Sequence, residues 1–166
     1  MTFKVKQLLT ITPVVLVLDQ LTKWLVVEQL MIGERIPVIS GFFDLVHFRN
    51  TGAAFGMFSG LASTYRVPFF YIIAVIAVVV LSLYFRSLGP DRRLESVALS
   101  LIFGGVAGNI VDRVRYGEVV DFLSFHLGQR MLFHIPLEWP AFNVADSAIT
   151  VSMILLVIST LRGKPS

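Results

Sequence analysis

The sequence predicts an all-α membrane protein. It should have four transmembrane helices, both termini in the cytoplasm, a small extracytoplasmic β-sheet and a short amphipathic helix at the interface. Three observations predict this. The 166 residues are only 15% charged and their mean hydropathy is +0.78, too apolar for an ordinary soluble domain of this length. Four stretches, about 8–28, 67–85, 94–113 and 141–161, are long enough to cross roughly 30 Å of hydrocarbon at about 1.5 Å per residue. Basic residues then gather at one set of span ends: Lys4, Lys6, Arg86, Arg92, Arg93, Arg162 and Lys164 against Asp91 and Glu95, a balance of +5, while the rest of the chain carries −2.

The first span opens with Lys4, Lys6 and an apolar run that could pass for a signal peptide. No small-x-small cleavage site follows, and the run continues through Asp19, Lys23 and Trp24, so a retained helix is expected. The second span is the plainest, with no charge from Phe69 to Leu83. A short loop at Ser87–Arg93 leads to the third, and the fourth closes the chain in one membrane-embedded domain. The outer connections are about 31–66 and 114–140. Their β-branched and aromatic runs at Ile36–Ser40, Phe42–Arg49, Val119–Phe125 and Arg130–Ile135 read as short strands. Gly60–Arg66 reads as the start of the interfacial amphipathic segment. Trp24 and Trp139 suit the interface.

Composition narrows the chemistry. The net charge of +3 forms no clustered patch, which argues against nucleic acid as a partner. Cysteine is absent, removing disulfides, thiolate metal sites and a cysteine nucleophile. His47, His126 and His134 lie in the outer segments without metalloprotease spacing, and strand or surface positions suit them better than metal ligation. No serine-elbow or phosphate-loop motif is present. No metal or cofactor is expected.

Polar residues instead gather at one depth. Lys23 lies about 7 Å below the outer end of its helix, Asn109 about 5 Å and Asp146 about 7 Å, with Asp19 a turn deeper. Asp19 and Lys23 are four apart, as are Asn109 and Arg113, while Asn143 and Asp146 are three apart, so each helix turns one polar face inward. Asp121 and Asp146 are the leading candidates. Two carboxylates near hydrocarbon that share a proton could supply acid and base for peptide hydrolysis. A structural alternative has Asp146 capping a helix and Asp121 ending a strand. Asp19 and Lys23 suggest an ion pair ordering the first helix, with direct proton transfer as the alternative. Arg113 reads either as an interfacial anchor or as a fork for carboxylate or ester groups. Its neighbour Asp112 could pair with Arg115 or cap; no chemistry is assigned to it. Asn50 sits in a turn-prone Asn50-Thr51-Gly52 setting or anchors a peptide backbone. Gly104, Gly105 and Gly108 allow close helix packing, room for a bound chain, or both.

These blocks together resemble the lipoprotein signal peptidases, the type II signal peptidases of bacteria. Asp19-Gln20-Leu21-Thr22-Lys23, Asn50-Thr51-Gly52-Ala53-Ala54-Phe55-Gly56 and Gly104 through Arg113 are similar to three signatures of that family. Val119-Val120-Asp121-Phe122 and Phe142-Asn143-Val144-Ala145-Asp146-Ser147 resemble the two blocks that carry its aspartates. The resemblance implies an intramembrane aspartic endopeptidase of the bacterial inner membrane, monomeric and acting near the extracytoplasmic face. Asp121 and Asp146 would be its catalytic dyad. Asp19, Lys23, Asn50, Gly52, Gly105, Asn109, Arg113 and Asn143 would be the supporting or substrate-binding set. It implies a diacylglyceryl prolipoprotein as substrate, cut just before the lipidated cysteine, with membrane lipid around it and globomycin-type peptides as inhibitors. One departure is visible: His126–Pro140 is longer than expected between the aspartate blocks, which leaves the local shape of the sheet open. A proton-coupled transporter would spread polar groups through the full depth instead. A noncatalytic assembly factor would tolerate Asp→Asn at both aspartates.

Overall fold

The structure is a computed structural model that describes residues 1–51, 62–132 and 135–163. Among the described residues, four helices form the bundle: α1 (Phe3–Gln29), α2 (Ser63–Ser87), α3 (Arg93–Tyr116) and α4 (Val144–Leu161). Each is long and apolar enough to cross a membrane. The boundaries differ from the expected ones for local reasons. α4 begins at Val144, not Ala141, because Asn143 is its N-cap and Phe142 is held in a β-bridge with Leu123. α3 runs on to Tyr116 and stops at Gly117, whose φ of 74° suits the left-handed C-cap position. The segment expected as an interfacial helix, Gly60–Arg66, falls partly outside the described residues, and from Ser63 onward it is the first turn of α2.

α3 is the central helix, packed against both α1 and α4, while α2 lies at the edge with most of its side chains exposed. Glycines set the close contacts. A Cβ on Gly104 would meet Val15 Cβ of α1 at 2.7 Å, and one on Gly105 would meet the Ala145 carbonyl of α4 at 2.5 Å. The packing reading of this stripe is the one observed. Gly105→Ala is therefore expected to destabilise the protein by about 1–3 kcal/mol by forcing α3 from α4, measurable as a lower thermal midpoint in detergent.

The basic end of the bundle is tied by polar contacts. Lys4 Nζ donates to the carbonyls of Phe85, Arg86 and Leu88 at 3.2, 3.1 and 2.8 Å. Glu95 accepts from Arg92 and from Ser159 Oγ. The starts of α1 and α3 thus meet the ends of α2 and α4, as an up-and-down bundle requires.

The sheet sits at the opposite end. Its strands are β1 (Arg35–Ile39), β2 (Phe43–Asn50), β3 (Val119–Leu132) and β4 (Ile135–Glu138), antiparallel in the order β1-β2-β3-β4. Arg130–Ile135, expected as a separate strand, is instead divided between the end of β3 and the start of β4, and residues 133–134 lie outside the described set. The pairing of β4 with β3 accounts for the unusual length of the 126–140 segment. β2 carries a bulge: Leu45 faces Leu123, but Phe48 faces Asp121 and Asn50 faces Val119, one residue out of the initial register. Bulges re-aim side chains near sites, and this one brings Asn50 within reach of Asp121.

Candidate active site

Asn143 is the hub of the polar layer. As the N-cap of α4 it accepts from the Asp146 backbone N–H at 2.9 Å, and Asp146 Oδ2 accepts from the Asn143 N–H at 3.3 Å, a capping box. Its Nδ2 donates to Asp121 Oδ1 at 2.8 Å and to the Val120 carbonyl at 3.2 Å. One fully buried residue therefore touches both candidate carboxylates, Asp121 through its side-chain amide and Asp146 through its backbone N–H. Each carboxylate has a second amide donor: Asn50 Nδ2 to Asp121 Oδ2 at 3.0 Å, and Asn109 Nδ2 to Asp146 Oδ1 at 2.8 Å. The capping role considered for Asp146 is present, whereas Asp121, which the same structural alternative placed at a strand end, is the third residue of the long strand β3.

Below this layer lies a buried ionic cluster. Lys23 Nζ directs its three donors to Asp19 Oδ2 at 2.9 Å, Asp112 Oδ2 at 2.9 Å and Asn109 Oδ1 at 3.0 Å. The expected Asp19–Lys23 pair is present. The alternatives considered for Asp112 are overturned, since it faces α1 and joins Lys23 rather than Arg115. Gln20 Nε2 also donates to Asp112 Oδ1 at 2.9 Å. The cluster grips the chain just before each candidate aspartate. Asp19 Oδ1 accepts from Ala145 N at 2.9 Å, and Asp112 Oδ2 accepts from Val120 N at 3.0 Å. Asp112 and Gln20 were missed by sequence reasoning. The available signal was that Asp112 lies three residues from Asn109, and Gln20 beside Asp19.

The two aspartates open onto a cavity of about 610 Å³, a size typical of ligand sites. Asn50, Asn109, Arg113, Asp121 and Asp146 supply its polar side; Trp139, Pro140, Ala141, Phe142, Ile149 and Val151 are among its apolar lining. Arg113 lies over the Phe70 ring, 4.9 Å from its centroid, close enough to Asp146 and Asp121 to feel their charge. Gly105 packs against α4, and Gly52 lies outside the described residues. His47 and His126 are strand residues: His47 Nδ1 lies 2.8 Å from the Leu30 carbonyl, and His126 Nε2 lies 3.0 Å from Asp44. His134 is outside the described residues. Burial, reinforced by the Asp146 charge, pushes the Asp121 carboxyl up to about 7.

Helices of membrane-spanning length beside a cavity edged by two amide-held carboxylates, Asp121 buried and Asp146 half-buried, define a membrane-enzyme site. The comparisons agree. A family model described as Signal peptidase (SPase) II matches residues 11–162. The lipoprotein signal peptidase of Syntrophotalea carbinolica is 51% identical over 93% of this chain and 91% of its own length. That of Geobacter metallireducens is 45% identical over 93% and 90%. Two solved structures titled as bacterial membrane enzymes, at 2.3 and 1.9 Å resolution, superpose with TM-scores of 0.80 and 0.79. They share 34% and 35% identity with this chain, over 99% and 98% of it and 95% and 97% of their own chains. The chain belongs to the signal peptidase II family.

Proposed function

We propose that this chain is a single-domain aspartic endopeptidase that removes the signal peptide from diacylglyceryl-modified prolipoproteins, cutting immediately before the lipidated cysteine. The observation that carries the reading is the Asn143 side chain, which joins Asp121 and Asp146 at the edge of one cavity. Asp121 is the partner that holds the proton. Asp146, in the first turn of α4 where the helix dipole favours negative charge, is the base.

The steps balance without a metal. Asp121 donates a hydrogen bond to the scissile carbonyl oxygen. The oxygen of a water attacks the carbonyl carbon while Asp146 takes a proton from that water and Asp121 passes its own to the carbonyl oxygen. A neutral diol results. Asp146 then protonates the amide nitrogen, the C–N bond breaks, and a hydroxyl of the diol returns a proton to Asp121. Asn50, Asn109 and Asn143 orient the carboxyl groups. Asp19 and Lys23, with Asp112, fix the backbone beneath them, and Gly105 lets α4 approach. Arg113 is positioned to bind a carbonyl or ester of the substrate. Gly52 stays in the substrate-binding set on the family resemblance alone.

The positive-inside distribution supports cytoplasmic termini, so the cavity would open toward the extracytoplasmic face of the bacterial inner membrane, where a signal-peptide cleavage point emerges. A monomer with no partner beyond substrate and lipid is the proposed working unit. The test is a gel-shift assay with purified protein and a lipidated prolipoprotein. Loss of the signal peptide, blocked by a globomycin-type peptide, is expected; an unshifted substrate would refute the reading.

A pH dependence follows. A carboxyl raised to about 7 keeps its proton through mildly acid pH and loses it as pH rises. Since the mechanism needs that proton, activity should fall on the alkaline side with a midpoint near pH 7, measured as kcat/KM on a fluorogenic lipopeptide, which reports the groups of the free enzyme. A rate that climbs steadily through that range would contradict the assignment of Asp121 as the acid.

A further inference from the structure

One ionic network crosses all four strands of the sheet, away from the aspartates. Arg35 of β1 forks: Nη1 donates to Asp44 of β2 at 2.7 Å and Nη2 to Glu138 of β4 at 2.5 Å. Asp44 also lies 3.0 Å from His126 Nε2, and Glu138 accepts from Ser124 Oγ at 3.0 Å, both on β3. The strand register builds this. Asp44 faces Ser124 and His126 faces Glu138, and residues two apart on a strand share a face. The opposite face carries Phe43 stacked on Phe125 at 4.8 Å and Phe125 on Phe142 at 5.9 Å.

The residues after Glu138 are Trp139, Pro140, Ala141 and Phe142, a continuous apolar wall of the cavity. Backbone bonds hold it from behind: Trp139 N to Phe125 O at 2.8 Å, and Phe142 N to Leu123 O at 3.0 Å. The network fixes the strand that leads into the wall.

We propose that Arg35 and Glu138, through Asp44, Ser124 and His126, act as positioning residues that hold the Trp139–Phe142 wall against the apolar part of the substrate and thereby set substrate affinity. The role in affinity rests on the peptidase reading above; the placement of the wall does not. A lone exposed ion pair contributes little, but a forked arginine within a network spanning four strands is the exception.

The test is a double-mutant cycle on the full-length protein in a Trp24→Phe background, where Trp139 is the remaining tryptophan. Arg35→Met and Glu138→Ala should each raise KM for a lipopeptide about fivefold with kcat within about twofold. The pair should do no more than either alone, because both remove one link. Glu138→Gln, which keeps an acceptor for both partners, should stay within about twofold of the parent. Acrylamide quenching of Trp139 should rise in the first two variants and not in Glu138→Gln. Unchanged KM and quenching, effects that multiply, or a loss confined to kcat would each overturn the proposal. Quenching needs no turnover, so it judges the wall's placement by itself. Failure of the parent protein to cleave would strike the peptidase reading instead.

Discussion

Asp121→Asn and Asp146→Asn are each expected to lower kcat by at least about 10³-fold while the protein still inserts and folds. The size follows from the roles. An amide neither takes a proton from water nor donates an acidic one, so each substitution removes one half of the acid–base pair. The retention of fold follows from the hydrogen bonds. In Asp146→Asn the new amide would keep an oxygen for Asn109 Nδ2 and lose the weaker acceptor for the Asn143 N–H at 3.3 Å. In Asp121→Asn the amide would keep one acceptor for either Asn143 or Asn50 and present an NH₂ to the other, a conflict that costs about 1–3 kcal/mol. The check is a gel shift on lipidated prolipoprotein, alongside thermal unfolding in detergent. Turnover near the wild-type rate in either variant, with the fold intact, would remove the dyad.

The largest stability effect is expected at Lys23. Asp19, Lys23 and Asp112 are all but fully buried, at 0, 2 and 1% exposure, so the ammonium is enclosed by the two carboxylates it neutralises. Lys23→Met leaves both carboxylates without a cation and should destabilise the protein by about 3–5 kcal/mol. Adding Asp19→Asn and Asp112→Asn to Lys23→Met should restore part of that loss. The amide oxygens can still accept from Ala145 N and Val120 N, and no uncompensated charge remains. Thermal midpoints of the single and triple variants decide the matter. A triple variant less stable than Lys23→Met alone would show that the cluster's charge is not what the fold depends on.

What the sequence made legible was what hydrocarbon makes expensive. Asp19, Lys23, Asn109 and Asp146 stood out because polar groups inside apolar spans demand partners, and their common depth foretold a shared site. Asp112 escaped because it sits near a helix end beside Arg113 and Arg115, where a carboxylate looks solvated. Its partners become visible only once α1 packs alongside and β3 returns to present Val120 N. The strand boundaries failed for a related reason. Residues 130–135 read as one apolar strand segment, and no strong turn dipeptide within them marks where β3 ends and β4 begins. The β2 bulge has no composition signal either, since it is a property of pairing. Asn143 was read for its spacing to Asp146; its reach across to β3 required the tertiary structure.

The asparagine that begins α4 also has a consequence for biosynthesis. Every bond that aims Asp146 comes from the first turn of the last span or from groups that turn contacts. A ribosome-bound chain with three helices delivered already contains Asp121 yet lacks its partner and the amide between them. On the proposed chemistry, such a half-made chain is inert, and hydrolytic competence arrives only when the carboxy-terminal helix seats itself in the bilayer.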